Sequence, residues 1–376
     1  MEKIGIYVHI PFCVSKCKYC NFVSFTNKEN FIPEYLKALV KEIELKSKEV
    51  KNIIDTIYIG GGTPSCLPNG AISTILNSIK TNFKVDPNAE ITIECNPNSV
   101  DYTKAQEWIN CGVNRVSVGL QSIKQSLLKL IGRVHTKQDY VNAINILHSV
   151  GFKNINTDVM IGLPKQKQSD VKNTLLAVAK QNVTHISCYS LILENNTPLY
   201  NAVKNKEIKE LSEEKAINMY AFAYKFLTKL GFNRYEVSNF AIKGYECKHN
   251  INCWNLHQYL GFGVSAHSYF KNIRYSNATT IEDYIALINK NGNAVVEKEK
   301  QTINDKIEEY IMLGLRLKNG IDLNYLKEKF DYDILKEKSL TIEKLKKLNL
   351  IEIKNNRLYA TDLGFYVLNT IILELI

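Results

Sequence analysis

The sequence predicts an α/β fold, with a partial (β/α)6 TIM-like barrel followed by a smaller C-terminal domain. Short apolar runs alternate with amphipathic helical patterns from residue 4 to about residue 193, which is typical of βαβ units and a parallel sheet. Gly112, Gly151 and Gly231 each follow a helical run, as glycine does at helix C-termini. The chain has 376 residues, enough for a barrel and one further unit.

Six apolar runs are the predicted barrel strands. They cover residues 4–10, 56–62, 90–96, 115–121, 155–164 and 185–193. Helical patterns lie between them at 31–45, about 70–82, 101–111, 122–131, 137–150 and 168–181. The first of these has apolar residues at Ile32, Tyr35, Leu36, Leu39, Val40 and Ile43. That i, i+3, i+4, i+7 spacing gives a helix one apolar face, which can cover the sheet.

The pattern changes after about residue 233. Residues 233–270 are rich in aromatics, asparagine and glycine and predict short strands and loops laid on the barrel. From about 303 the pattern is helical, with one hairpin over residues 350–361, which suits a small helical, winged-helix-like α+β domain. We therefore predict a barrel over 1–232, barrel-associated strands and loops over 233–300, and a C-terminal domain over 301–376.

Composition excludes several classes of protein. No run of about 18 apolar residues occurs and the N-terminus does not resemble a secretion signal, so we expect a cytoplasmic protein.

The net charge is +10, but lysines alternate with glutamates along polar faces, so we expect no nucleic-acid binding. Nine cysteines, an odd number, argue against a disulfide framework. Cys66, Cys95, Cys111 and Cys188 are predicted to be packing residues.

Cys13, Cys17 and Cys20 form a C-x3-C-x2-C cluster directly after the first predicted strand. A structural zinc site needs four Cys or His ligands, and His9 is the only nearby addition. Ordinary ferredoxin clusters also use four thiolates. A 4Fe–4S cube held by three thiolates leaves one iron open. The amino and carboxylate groups of S-adenosylmethionine can fill that position, and an electron from the cluster can then cleave the sulfonium to give a carbon radical.

This spacing, at the end of a first strand and before a βα series, resembles the radical S-adenosylmethionine (radical SAM) superfamily. Further polar residues stand at the ends of the next strands, where function gathers in a parallel barrel. Glu94, Gln121 and Asp158 occupy three successive strands, and Arg133 follows the fourth strand. Burying such groups without a partner costs about 1–3 kcal/mol each, so together they predict a shared ligand.

The motifs YVHIPFCVSKCKYCNF, YIGGGTPS, RVSVGLQSIKQSLLKLIGRVHT and DVMIGLPKQ resemble the oxygen-independent coproporphyrinogen III dehydrogenase family, in its haem-chaperone branch. The tail ATDLGFYVLNTII is similar to that family's C-terminal domain. The resemblance implies a 4Fe–4S cluster, S-adenosylmethionine and porphyrin or haem chemistry. It also implies that the S-adenosylmethionine pocket is lined by Tyr7, Tyr19, Gly61, Gly62, Thr63, Glu94, Gln121, Arg133 and Asp158.

Two functions remain open within this resemblance: haem transfer, and oxidative decarboxylation of coproporphyrinogen III by a radical enzyme, an oxidoreductase. The family's dehydrogenases carry a further cysteine after the cluster, at a position that is Phe22 here. They also have an extension before the cluster, whereas Cys13 here lies near the start. A third class, another radical enzyme acting on porphyrin or haem, is less favoured because long insertions are missing. The resemblance therefore favours a haem chaperone.

The segment HNINCW, residues 249–254, resembles the H-N-x-x-Y-W haem motif of the chaperone branch, with Cys253 in place of tyrosine. His249 is the candidate haem contact, because imidazole is a usual axial ligand of haem iron, and Cys253 is an alternative. The other interpretation is a structural loop in which Trp254 packs. Cys247 is expected to be exposed. The implied partners are haem, haem-accepting proteins that include membrane-associated ones, an electron donor such as flavodoxin or ferredoxin, and a second copy in a homodimer.

Overall fold

The computed structural model describes residues 3–376, which contain fifteen strands. The strands are β1 (Lys3–Ile10), β2 (Ile53–Gly61), β3 (Lys84–Cys95), β4 (Arg115–Gln121), β5 (Asn154–Ile161), β6 (His185–Ser190), β7 (Asn233–Arg234), β8 (Asn239–Ala241), β9 (Tyr259–Phe262), β10 (His267–Phe270), β11 (Ile273–Asn277), β12 (Val295–Lys300), β13 (Ile321–Asp322), β14 (Ile351–Lys354) and β15 (Arg357–Ala360).

The described residues also contain fifteen α-helices. They are α1 (Ile32–Ser47), α2 (Ala71–Asn82), α3 (Tyr102–Asn110), α4 (Gln125–Leu130), α5 (Lys137–Ser149), α6 (Gln168–Ala179), α7 (Pro198–Lys204), α8 (Glu213–Lys229), α9 (Lys248–Trp254), α10 (Ile281–Asn291), α11 (Ile303–Gly314), α12 (Leu323–Phe330), α13 (Ile334–Glu337), α14 (Ser339–Lys347) and α15 (Leu368–Leu375). Among residues 3–376, none of them is both long enough and apolar enough to cross a membrane.

Strands β1 to β6 are parallel neighbours in chain order and form the barrel wall. β1 shows why they are buried strands: Ile4, Ile6, Val8 and Ile10 point to one face and are fully buried. Helices on the outside cover that face, so both faces of the sheet are removed from water. This confirms the predicted α/β partial barrel.

Strands that the sequence predicted only as additions extend the same sheet at both edges. β9 pairs parallel with β1, and β10, β11 and β12 continue from it in antiparallel order. On the other side, β8 and then β7 pair antiparallel beyond β6. The sheet therefore has twelve strands, in the order β12-β11-β10-β9-β1-β2-β3-β4-β5-β6-β8-β7. Its two ends do not pair with each other, so the barrel is open.

The C-terminal part has its own small sheet, β13-β15-β14, and its own apolar cluster from Ile307 to Leu375. The predicted hairpin is β14 and β15. An isolated antiparallel bridge between Glu236 and Leu317 joins this part to the barrel. These features fit a smaller C-terminal domain, while the domain boundaries at 232 and 300 stay a prediction.

Candidate functional site

A cavity of about 580 Å³ runs through the inside of the barrel. Its upper end is formed by the cysteine loop and by the last residues of β2 to β6, and its lower part is lined by residues at the strand starts, such as Arg115 and Asn156. All the predicted site residues line this cavity except two, Tyr7 and His249. Cys13 and Asp158, which are 145 positions apart in the sequence, therefore share one site, as expected for the carboxyl ends of parallel strands.

The three cysteines all line the upper end of the cavity, each half-buried and free. The loop folds back on itself through Cys13 N–H to Phe25 C=O (3.0 Å) and Cys20 N–H to Cys17 C=O (3.2 Å). Cys13 Sγ lies 3.4 Å from Thr63 Oγ1. Within residues 3–376, no group of three or more His, Cys, Asp or Glu side chains is arranged to hold a single metal ion.

That arrangement gives no support to the zinc alternative, because zinc draws its four ligands around one centre. The proposed additional ligand, His9, is also engaged: its Nδ1 lies 3.0 Å from Tyr7 Oη, and its Nε2 lies 2.7 Å from the Val23 carbonyl oxygen. In an iron–sulfur cube each cysteine thiolate binds a different iron. The three sulfurs therefore stand further apart than ligands of a single zinc ion do. Three half-buried thiols at a cavity are a suitable donor set for such a cluster.

The glycines after β2 are required by close packing against the cysteine loop. A Cβ atom at Gly62 would lie 2.7 Å from the Phe12 carbonyl oxygen and 3.0 Å from Cys13 Sγ. Gly61 adopts φ +114°, which favours glycine. Main-chain bonds from Gly62 N–H to Ile10 C=O and from Thr63 N–H to Phe12 C=O, both 2.8 Å, hold the two segments together. The glycines thus fix the position of Cys13.

Arg133 reaches the cavity from the segment after α4. Its Nη1 donates to Cys17 Sγ at 3.7 Å, and its Nη2 donates to the Gly119 carbonyl oxygen. Lys18 N–H bonds to Ile131 C=O at 2.9 Å, which ties this segment to the cysteine loop. Within the described residues 3–376, the buried Arg133 Nε has no hydrogen-bond partner. Arg133 therefore supplies positive charge beside the thiolates and has a donor left for a bound molecule.

Two carboxyl groups face the middle of the cavity. Glu94 Oε1 accepts from Tyr58 Oη at 2.7 Å, and burial raises the pKa of Glu94 to about 7. Asp158 Oδ1 accepts from Asn156 Nδ2 at 2.7 Å, and burial raises its pKa as well. Each group is accessible to a ligand through the cavity. Their oxygens can accept hydrogen bonds from hydroxyl or amino groups of a ligand, which replace the hydration that burial removes.

Gln121 and Tyr19 complete the wall. Gln121 adopts φ +67° and accepts a hydrogen bond from Tyr189 Oη at 3.0 Å. Such a left-handed conformation is uncommon for glutamine and aims its side chain into the cavity mouth. Tyr7 lies outside the lining, with its ring stacked on that of Tyr58 at 6.4 Å. It therefore supports the residue that bonds to Glu94.

His249 lies behind the cavity wall, on helix α9. Only 6% of its surface is exposed. Its Nδ1 lies 2.9 Å from Thr56 Oγ1, and its ring lies 5.2 Å from the ring of Tyr58. Burial lowers its pKa to about 4, so the imidazole is neutral. Gly5 leaves the space for it, since a Cβ there would lie 3.3 Å from the ring. Cys253 is partly buried and also outside the lining.

Helix α9 is fixed by a glutamate at its first turn. Glu90 accepts from the backbone N–H groups of Lys248 (3.1 Å) and His249 (3.0 Å), as carboxylates do at helix N-termini. Cys247 Sγ also contacts Glu90 Oε1, at 3.5 Å. The expectation that Cys247 is exposed was wrong: it is fully buried, because it lies directly before α9 and packs against Glu90.

Several cavity residues were not predicted from the sequence. Tyr58 lies on β2 before the predicted glycines, and Asn156 lies two positions before Asp158, which was singled out, and so points to the same face of its strand. That spacing was a usable signal. Trp254 was predicted only to pack, but it lines the cavity together with Asn250. Arg316 also lines it, from the C-terminal part, and no local pattern marks that residue.

A buried chain of hydrogen bonds connects Asp158 with the start of α9. Asn156 donates to Asp158 and accepts from His185 Nδ1 at 2.5 Å. Burial lowers the pKa of His185 well below its usual value, so its Nε2 accepts from Tyr235 Oη at 2.8 Å. Tyr235 Oη in turn accepts from Cys247 N–H at 3.3 Å. The middle of the cavity and α9 are thereby joined through the barrel interior.

The cavity lining contains a second glutamate whose titration is testable. Burial raises the pKa of Glu236 from 4.5 to about 7. Between those values the folded state binds more protons than the unfolded state, so the free energy of unfolding falls as pH rises through this window. Glu236→Gln removes this contribution to the pH dependence of the free energy of unfolding. We expect the stability of the wild type relative to this variant to fall by about 3 kcal/mol between pH 5 and pH 8.

Urea unfolding of the apoprotein and the variant at several pH values measures this difference. The comparison with the variant is needed because buried His9, His135 and His249, whose pKa values burial lowers to about 4, act in the opposite direction. Glu297→Gln, an exposed substitution on β12, is the control and should give a difference independent of pH. If the difference in free energy of unfolding between the wild type and Glu236→Gln is also independent of pH, burial does not raise the pKa of Glu236.

The chain was compared with known families and structures. Residues 7–178 match the radical SAM superfamily, and residues 302–367 match the HemN C-terminal domain. The protein named "Heme chaperone HemW" from Buchnera aphidicola subsp. Schizaphis graminum is 38% identical over 343 residues, covering 88% of this chain and 90% of that protein. The one from Lactococcus lactis subsp. lactis is 34% identical over 367 residues, covering 97% and 95%.

The fold has a close structural counterpart. Coproporphyrinogen III oxidase (HemN) from Escherichia coli, a radical SAM enzyme, superimposes with a TM-score of 0.87 at 23% identity, covering 100% of this chain and 90% of that one. At that identity the likeness shows a shared fold. The sequence relationship is the stronger finding, and with the cysteine loop at the cavity it shows that this chain belongs to the HemW family of radical SAM proteins.

Proposed function

We propose that this protein is a haem chaperone that binds haem and delivers it to acceptor proteins. The observation that carries the proposal is the family relationship, at 30–38% identity over most of the chain, to proteins named for that activity. Phe22 supports it: this side chain lines the cavity mouth and is 65% exposed, at the position where the family's dehydrogenases have a further cysteine. The alternative, decarboxylation of coproporphyrinogen III, is tested separately below.

In this proposal Cys13, Cys17 and Cys20 hold a 4Fe–4S cluster with one open iron. The cluster supplies one-electron reduction and a coordination site for S-adenosylmethionine. Thr63 and Arg133 lie within hydrogen-bonding range of Cys13 and Cys17, and such contacts stabilise the thiolates that a cluster requires. The donor set and its surroundings therefore fit the group.

The remaining predicted pocket residues take up S-adenosylmethionine. Arg133, whose buried Nε lacks a protein partner, pairs with the ligand carboxylate. Glu94 and Asp158 accept from ribose hydroxyls or the amino group, and Gln121 binds beside them. Gly61, Gly62, Thr63 and Tyr19 shape the pocket near the cluster, and Tyr7 holds Tyr58 in place from behind.

His249 remains the proposed axial ligand of haem, with Cys253 as the alternative. Its buried, neutral imidazole has the correct protonation state for binding iron. Its position behind the wall means that α9 must turn toward the cavity when haem binds. The hydrogen bond between Thr56 and His249 opposes that turn, so the roles of His249 as a haem ligand and as a structural anchor can be distinguished experimentally.

Hemin titration of the cluster-loaded protein tests the proposal. We expect saturable binding of one hemin per chain, followed by transfer to apomyoglobin, and a lack of saturable binding would contradict haem carriage. We further expect His249→Ala to weaken hemin binding about ten-fold or more and to change the haem absorption spectrum. Thr56→Val should leave binding equal or tighter, because it frees the imidazole. Unchanged binding in His249→Ala would remove this residue from the site.

We further propose that haem-accepting proteins, including membrane-associated ones, receive the haem. A flavodoxin or ferredoxin is the proposed electron donor, the cytoplasm the proposed location, and a homodimer the proposed assembly. The positive charges are mixed with negative ones along the chain, so nucleic acid is not among the proposed partners.

A further inference from the structure

The cavity has a second polar region, formed by residues outside the cysteine loop. It is formed by three separate segments of the chain: residues 236–239 after β7, helix α9, and Arg316 after α11. None of these residues belongs to the predicted S-adenosylmethionine pocket. Apolar Val237 and Ile192 line the same cavity, and Ile192 is 70% exposed. The region therefore combines polar groups with an apolar surface.

Arg316 is held at this place by main-chain contacts. The next residue, Leu317, forms the antiparallel bridge with Glu236, and Lys318 N–H bonds to the Tyr235 carbonyl oxygen at 2.9 Å. Leu315 and Leu317 on either side are buried. The backbone is therefore fixed on both sides of Arg316, and its side chain extends into the cavity wall.

The guanidinium of Arg316 has no charged partner among residues 3–376. It stands 5.8 Å from the Trp254 ring, and its Nη2 reaches Asn369 Oδ1 only at 3.5 Å. By contrast, Arg234, Arg274 and Arg357 each form an ion pair with a carboxylate. Arg316 is half-buried, so its charge is only partly hydrated. A half-buried arginine without a carboxylate is suited to bind one from a ligand.

Two further residues of the cavity lining carry buried polar atoms. Trp254 Nε1 is buried and faces the Glu236 carboxyl group. Asn239 is nine-tenths buried, and its Oδ1 has no hydrogen-bond partner within residues 3–376. Buried donors and acceptors of this kind are nearly always satisfied in proteins, by the chain, water or a ligand. Arg316 and Trp254 line the same cavity, so the guanidinium and the indole ring are presented to one ligand.

We propose that Arg316 and Trp254 form a carboxylate subsite, in which the C-terminal part of the chain binds an acidic side chain of a flat, mainly apolar ligand. Arg316 donates to the carboxylate, and Trp254 offers its ring face. Given the proposed function, on which this inference rests, the acidic group is a haem propionate, and the ring of haem lies against Val237 and Ile192. The C-terminal part then contributes directly to ligand selection.

Comparing hemin with hemin dimethyl ester tests the subsite, because the ester keeps the iron and the ring but lacks carboxylate charge. We expect the cluster-loaded wild type to bind hemin about ten-fold more tightly than the ester, and Arg316→Gln to lose that preference. Arg316→Lys should keep part of it, because the charge remains without the two-pronged geometry. Lys318→Gln removes an equal charge two residues away, outside the cavity, and should keep the full preference.

Circular dichroism and the melting temperature establish whether each variant is folded. If Arg316→Gln does not fold, the loss of preference is measured with Arg316→Lys instead. A hemin preference that survives in Arg316→Gln, or that is lost equally in Lys318→Gln, overturns the subsite and leaves the proposed function standing. If the wild type binds neither hemin nor the ester, the proposed function fails, and the subsite fails with it.

Discussion

Cys17→Ser is expected to abolish the iron–sulfur cluster. Three thiolates are the fewest that hold this type of site, and serine is a much poorer ligand for iron in a sulfur-rich cluster. Cys17 is also the thiol that Arg133 contacts, so its loss removes both a ligand and a contact that orients the arginine. Anaerobic reconstitution should load the wild type with about four irons per chain and the variant with almost none.

The matched control is Cys111→Ser, at the end of α3. Cys111 is half-buried, and its thiol contacts the Trp108 carbonyl oxygen at 3.2 Å, away from the cavity. This variant should take up iron like the wild type and show the same visible absorption. Full cluster content in Cys17→Ser, or an equal loss in Cys111→Ser, would contradict the assignment of the three ligands.

Glu90→Ala is expected to reduce the free energy of unfolding by about 3–5 kcal/mol. The change removes the carboxylate that accepts from two backbone N–H groups of α9, and those buried donors are left unpaired. It also removes negative charge near buried Arg115: burial lowers the pKa of Arg115, but nearby groups that include Cys247 and Glu90 outweigh this effect and raise the pKa overall. Urea unfolding of the apoprotein, followed by circular dichroism, measures the loss.

Glu49→Ala provides the comparison, because Glu49 is exposed at the end of α1. Its effect should stay within about 0.5 kcal/mol. A loss of similar size in both variants would mean that Glu90 does not fix α9. A small loss in Glu90→Ala alone would show that water replaces the carboxylate at the helix start.

The barrel and its upper rim were predictable because the information is local. Strands β1 to β6 are short apolar runs, and alternation along a strand indicates which residues face inward. Glu94, Gln121 and Asp158 therefore came together at one cavity, as expected, with the cysteine loop above them. The spacing of the three cysteines depends on neighbouring residues alone, and so it was recognisable before any fold was known.

The lower end of the cavity was not predictable in the same way. Helix α9 has seven residues, too few for a periodic pattern to indicate which side faces the cavity. Its orientation depends on Glu90 and Thr56, more than 150 residues earlier in the chain. Arg316 reaches the cavity only because Leu317 pairs with Glu236. Such contacts between distant segments leave no signal in a single sequence.

One measurement tests the central claim most directly: coproporphyrinogen III turnover and hemin binding by the same anaerobically reconstituted preparation, supplied with S-adenosylmethionine and a reductant. A haem carrier that keeps a radical SAM site should bind about one hemin per chain and form no decarboxylated porphyrinogen above the level seen with Cys17→Ser. Cluster-dependent decarboxylation with repeated turnovers, without saturable hemin binding, would contradict the account and identify a porphyrin-forming enzyme.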